Sequence, residues 1–191
     1  RALAGGEVEP GARPTSVALQ GDGRYLWVGN DDAEGPGGVT VIDTETLKVA
    51  ARLRTGAGHH ELAFTEDDRL AFVTNGEDGT LTVIDVAKLS RVADIKVGSR
   101  PSALAFSPLS RAAYVANEGD GTIVAVDSTR LEIVARKKAE PGLRGVRVEA
   151  HLERHGRAGG AAVLGLIDGA EAALADPPAH PGGPDDRPRR A

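Results

Sequence analysis

The sequence predicts an all-β fold built from repeated four-stranded antiparallel blades, and three observations predict it. Apolar and β-branched segments of four to six residues recur, with polar turns between them. The unit from Leu70 to Asp85, L-A-F-V-T-N-G-E-D-G-T-L-T-V-I-D, returns as A-A-Y-V-A-N-E-G-D-G-T-I-V-A-V-D at Ala112 to Asp127 and, with a longer central loop, at Tyr25 to Asp43. The closing aspartates Asp43, Asp85 and Asp127 fall 42 residues apart each time. Four short strands in such a period are the mark of a β-propeller blade, and about three to three and a half blades are present.

Residues 1–12 are short and Gly-rich, with Val8 as a candidate for an outer strand of a preceding blade. The first blade, 13–54, opens at Arg13-Pro14 and offers strands at 16–19, 25–30, 39–43 and 48–53. The second, 59–97, offers 61–64, 70–75, 80–85 and 91–97; the third, 100–138, offers 102–106, 112–117, 122–127 and 132–137. Asn75-Gly76 and Asp78-Gly79 supply residues that tolerate positive φ in a tight hairpin. Asp43, Asp85 and Asp127 each start a turn, where the carboxylate accepts hydrogen bonds from nearby backbone N–H groups. A fourth unit starts on schedule at 141–148 and then degrades, with Gly159 where the repeat asks for Asn. Residues 149–191 admit two readings: a degenerate terminal blade with a disordered tail, or a frame-shifted stretch of a GC-rich gene. On either reading 1–148 holds the blades, and the open edges predict an incomplete, self-associating or aggregation-prone chain.

Composition narrows the function classes. A formal net charge of −5 over 191 residues, with no basic stripe in the repeats, gives no nucleic-acid footprint. The absence of cysteine removes disulfides, thiolate metal sites and cysteine nucleophiles. No apolar run is long enough to span a membrane. No signal peptide is visible, and a chain that opens at Arg1 and has no methionine reads as a processed chain or a fragment.

The combination R-P-x-x-[VL]-A-[LF], [YF]-V-x-N and D-G-T-[LI]-x-V-[IV]-D resembles the YVTN repeat of bacterial and archaeal β-propellers over roughly residues 13–148. Phe72-Val73-Thr74-Asn75 and Tyr114-Val115-Ala116-Asn117 match the naming motif. The resemblance implies commonly seven blades and an extracytoplasmic location, periplasmic or secreted. It also implies kinship with propellers that hold haem d1 or copper at their axis.

Candidate site residues follow from the expected loop face, where the linker between blades and the central hairpin of each blade lie together. Arg13 and Arg100 flank the channel and could hold an anionic ligand, or bond carbonyls between blades; Asn75 and Asn117 stand in the hairpins of the same face. His59-His60 replaces Pro14-Thr15 and Pro101-Ser102 of the other units, and imidazole binds zinc, copper or iron. A metal site needs three or four ligands, however, and no other repeat supplies a histidine. The alternative is two solvated loop histidines beside Glu61. The acidic loops lack the alternating aspartates of a calcium site. A lactonase-type propeller with a central calcium would need inward carboxylates on the inner strands, which here read V-A-L, L-A-F and L-A-F. Trp27 is expected in the core, and no Ser/His/Asp set or phosphate-cradling glycine loop can be assembled.

The residues therefore predict a non-catalytic scaffold that presents loops around an axial channel to a protein or small-molecule ligand. They call for no cofactor. The alternative from the resemblance is a fragment of an oxidoreductase using haem d1, copper or iron, with His59 or His60 as an axial ligand.

Overall fold

A computed structural model describes residues 13–31 and 37–138 in full, and the backbone of three further strands at 146–149, 163–166 and 171–173. The first sheet contains β1 (Pro14–Leu19), β2 (Tyr25–Asn30), β3 (Gly38–Asp43) and β4 (Lys48–Arg54) in that order. The second contains β5 (Leu62–Phe64), β6 (Leu70–Asn75), β7 (Thr80–Asp85) and β8 (Ser90–Lys96). The third contains β9 (Pro101–Ser107), β10 (Ala112–Asn117), β11 (Thr122–Asp127) and β12 (Ile133–Lys138). Each is an antiparallel meander, as the repeat predicts. The expected strand bounds agree with these to within one or two residues.

A fourth sheet joins β13 (Val146–Glu149), β14 (Val163–Leu166) and β15 (Glu171–Ala173). Its inner strand β13 lies beside β9, as β9 lies beside β5 and β5 beside β1. The chain is thus a partial β-propeller. Val8, the loop 32–36 and most of the expected degenerate tail at 149–191 fall outside the described residues.

Alternation along each strand builds two different faces per blade. In the second blade Ala71, Val73 and Ile84 pack with Trp27, Val39 and Val41 of the first. Phe72, Leu81 and Val83, one residue out of step, pack instead with Ala113, Val115, Val124 and Val126 of the third. Aromatic contacts bridge both junctions: Trp27 meets Phe64 edge-on at 5.4 Å, and Phe72 stacks on Phe106 at 6.1 Å. Trp27 is fully buried, as expected. Val17 and Leu19 hold on β1 the places of Leu62 and Phe64 on β5, yet they are 66% and 57% exposed.

The turns correct one expectation. Gly79 and Gly121 adopt φ of +65° and +63°, but Asn75 and Gly76 do not enter that region. The hairpin needs a left-handed residue only at its last position. The aspartate turns form as expected: the Asp43 carboxylate accepts from the N–H of Thr46 (2.8 Å) and Glu45 (3.1 Å), Asp85 from Lys88, and Asp127 from Thr129 and Arg130. Hydrogen bonds from Thr46 hold Asp43 below the usual carboxylate range, and those from Lys88 do the same for Asp85.

Candidate functional site

The expected loop face exists. In the first three blades the linker entering the inner strand runs alongside the hairpin between the second and third strands. The Gly76 N–H donates to the His59 carbonyl (3.0 Å), and the Glu118 N–H to the Arg100 carbonyl (3.0 Å). Hairpin aspartates fasten the linkers: Asp78 accepts from the Ala57 N–H and Asp120 from the Ser99 N–H, both at 2.9 Å. Burial pushes the Asp120 carboxyl up, but bonds from the Thr122 hydroxyl and the Ser99 N–H outweigh it and leave the group below its ordinary value.

Asn75 and Asn117 are fully buried parts of this fastening. The Asn75 Oδ1 accepts from the Gly56 N–H (2.9 Å), and its Nδ2 donates to the hydroxyls of Thr80 (2.9 Å) and Thr82 (2.8 Å). The Asn117 Nδ2 donates to the Val97 carbonyl (3.2 Å) and the Thr122 hydroxyl (3.1 Å). Asn75 is engaged through both amide atoms and Asn117 through Nδ2, its buried Oδ1 having no partner among the described residues.

Arg13 and Arg100 reach outward, 66% and 69% exposed, and pair with carboxylates rather than with carbonyls of a neighbouring blade. Arg13 lies 3.7 Å from Asp31, and Arg100 lies 3.5 Å from Glu118. Sequence reasoning missed the backbone at this position. Arg13, Gly58 and Arg100 occupy one place in the repeat, and all three have positive φ, at 47°, 93° and 51°. Glycine appears there only in the second blade, so composition carried no common signal.

The adjacent histidines divide. His59 is 44% exposed and its Nε2 lies 3.1 Å from a Glu61 carboxylate oxygen, which matches the solvated-loop reading. His60 contradicts it, for it is fully buried at the junction of the first two blades. Its Nδ1 lies 2.7 Å from the Thr74 carbonyl, which only accepts, so Nδ1 carries the proton and the neutral ring leaves Nε2 bare. Its own carbonyl accepts from the hydroxyls of Thr15 and Ser16 across the junction. Burial, the largest influence, pushes the His60 pKa down despite the Thr74 bond, which keeps the ring neutral at pH 7.

The bare Nε2 has no hydrogen-bond partner among the described residues, but it is not open. It faces Gly37 so closely that a Cβ there would sit 2.4 Å away. A metal at Nε2 needs about 2 Å of clear approach and further ligands, and the Gly37 backbone occupies that approach. No group of three or more His, Asp or Glu side chains converges among the described residues. His60 in this arrangement does not fit a haem iron or copper; His59 is the accessible imidazole.

A rigid β-propeller with a charged loop face is the class that fold and site define. By sequence the chain belongs to the cytochrome D1 heme domain family, whose profile matches residues 33–174. Among solved structures it is similar to hydrazine synthase of Kuenenia stuttgartiensis, with a TM-score of 0.66 and 26% identity over 87% of this chain and 46% of that one. It is also similar to a functionally unknown protein from Desulfotomaculum acetoxidans (TM-score 0.60, 14% identity, 70% of this chain and 44% of that one). The WD40 repeats of RRP9 match with a TM-score of 0.58 and 14% identity over 73% of this chain and 41% of that one. The last two similarities show the fold alone. The chain spans less than half the length of these three structures. No curated protein matches it in sequence.

Proposed function

We propose that the chain is a recognition module whose loop face, acting from a fixed propeller scaffold, binds a protein or small-molecule partner. One observation carries this reading. The linkers are pinned by Asn75, Asp78 and Asp120, while His59, Glu77, Arg100 and Glu118 stand exposed on the pinned backbone. Charged side chains on an ordered frame suit recognition, because little loop entropy is lost on binding. The family and the YVTN-like motifs support an extracytoplasmic setting.

A photo-crosslinking residue placed at Glu77 or at Glu118 tests it in cells. The expected result is a discrete adduct from both loop sites and none from Val49 on the outer strand. Equal labelling from all three would overturn the proposal.

A second reading, part of a metal- or haem d1-dependent oxidoreductase, draws support from the family itself. It requires His59, since the approach to the His60 Nε2 is closed. Titration with ferric haem or with Cu²⁺, followed by absorbance, separates the two. A stoichiometric spectral change abolished by His59→Ala favours the oxidoreductase, and a change indifferent to that substitution favours the scaffold.

A further inference from the structure

The opposite end of the blades, where the remaining turns lie, carries a cleft that the loop face does not explain. It lies between the second and third blades as an open cleft of about 570 Å³, within the size range of small-molecule sites. Its floor is apolar, made by Leu70, Phe106 and Leu131. Arg111 and Ser128 stand on the third-blade side, Glu66 and Arg69 on the second.

The junction one repeat earlier is packed with a bulkier residue. There Tyr25 and Leu89 pack against a cluster shared by the first two blades, which includes Val86. Tyr25 and Leu70 hold the same register place, opposite Asp43 and Asp85. Val86 and Ser128 also correspond, since each donates its N–H to an arginine carbonyl, that of Arg69 or Arg111. Leucine for tyrosine removes a ring from the space, and serine for valine turns part of the wall polar. At the earlier junction Arg24 lies over the Tyr25 ring, 5.0 Å from its centroid; Arg69, its counterpart, has no ring to cover. The turns differ as well. Gly21 sits against Asp68 at the earlier junction, while Glu66 and Ser110 occupy those places at the open one.

The charges in the cleft are balanced but not paired off. Asp67 is held within its own turn by the Thr65 hydroxyl (2.7 Å) and the Arg69 N–H (3.2 Å). Neither the Glu66 nor the Arg111 side chain makes a hydrogen bond or ion pair with any described residue. A cleft of two guanidiniums and two carboxylates gives a net-charged ligand no Coulombic advantage. Arg69 acts coulombically on Asp67 of its own turn, which leaves Glu66 and Arg111 as one anion and one cation without a described partner over the apolar floor, a match for a ligand carrying both charges. We propose that this cleft binds a small zwitterion with an apolar side chain, such as an aromatic or branched α-amino acid. Arg111 would take the carboxylate and Glu66 the ammonium, with the side chain on Phe106 and Leu131.

The test is an NMR titration of the full chain with L-phenylalanine and L-leucine. The controls are 3-phenylpropionate, which lacks the ammonium, and phenethylamine, which lacks the carboxylate. The expected result is saturable shifts at residues 65–70, 106–111 and 128–131 with at least one amino acid. Each single-charge control should bind about tenfold more weakly or worse, as should Arg111→Gln and Glu66→Gln. Leu70→Tyr restores the residue of the earlier junction and should abolish binding while the spectrum stays folded. Three outcomes would overturn the proposal: no saturable shift with either amino acid at millimolar concentration, a single-charge control that binds equally well, or unchanged binding by Leu70→Tyr.

Discussion

His60 and Asn75 show how much of the loop face rests on single side chains. The low pKa of His60 couples the junction of the first two blades to pH. The unfolded chain takes up a proton at about pH 6.5, before the buried ring does. The stability this group contributes is therefore complete above that value and is lost as pH falls below it. The urea midpoint should drop between about pH 7.5 and pH 5, above the range where the carboxylates titrate, and His60→Gln should remove most of the drop. Asn75→Ala strands the Gly56 N–H and takes away the donor to the Thr80 and Thr82 hydroxyls, and should cost about 2–3 kcal/mol in urea unfolding. The sequence marked both residues, Asn75 by its recurrence and His60 by its departure from the repeat. It could not show that His60 turns inward, because burial there depends on Gly29 and Gly37 of another blade, whose missing side chains leave the space.

At the scale of the strand and turn the sequence was most legible, because strand period and turn chemistry are local. The V-x-N and V-I-D segments form central strands in register with each other. The positive-φ positions were less legible. Leu47, Leu89 and Leu131 recur 42 residues apart with φ of 55°, 49° and 57°, a conformation that leucine does not advertise. The hairpin glycines allow a controlled comparison. A Cβ on Gly79 would lie 2.2 Å from the Gly98 carbonyl, while one on Gly121 would meet none of the described residues within 4 Å. Both have left-handed backbones, so Gly121→Ala should cost about 1 kcal/mol and Gly79→Ala clearly more, at about 2–3 kcal/mol, in parallel thermal or urea melts.

For the molecule as a whole, the number of described blades was legible and the cleft between the second and third was not. Its opening depends on which residue of one repeat faces which residue of the next, a relation that only the packed sheets supply. Val17 and Leu19 belong at this scale too. Their counterparts Leu62 and Phe64 pack against a cluster shared with the first blade, whereas Val17 and Leu19 stand exposed on β1. Val17→Glu with Leu19→Glu should reduce self-association in sedimentation velocity while leaving far-UV circular dichroism unchanged. Equal association by the variant would place the contact elsewhere. The two faces of a blade are not alike, since an aromatic residue on the second strand of one blade meets the inner strand of the next. Contacts of this kind are directional. Copies joined through them must follow one another head to tail, and no twofold pairing can satisfy them. An assembly made this way has two fates, set only by the rotation per blade: a ring that closes on itself, or a fibre that keeps growing.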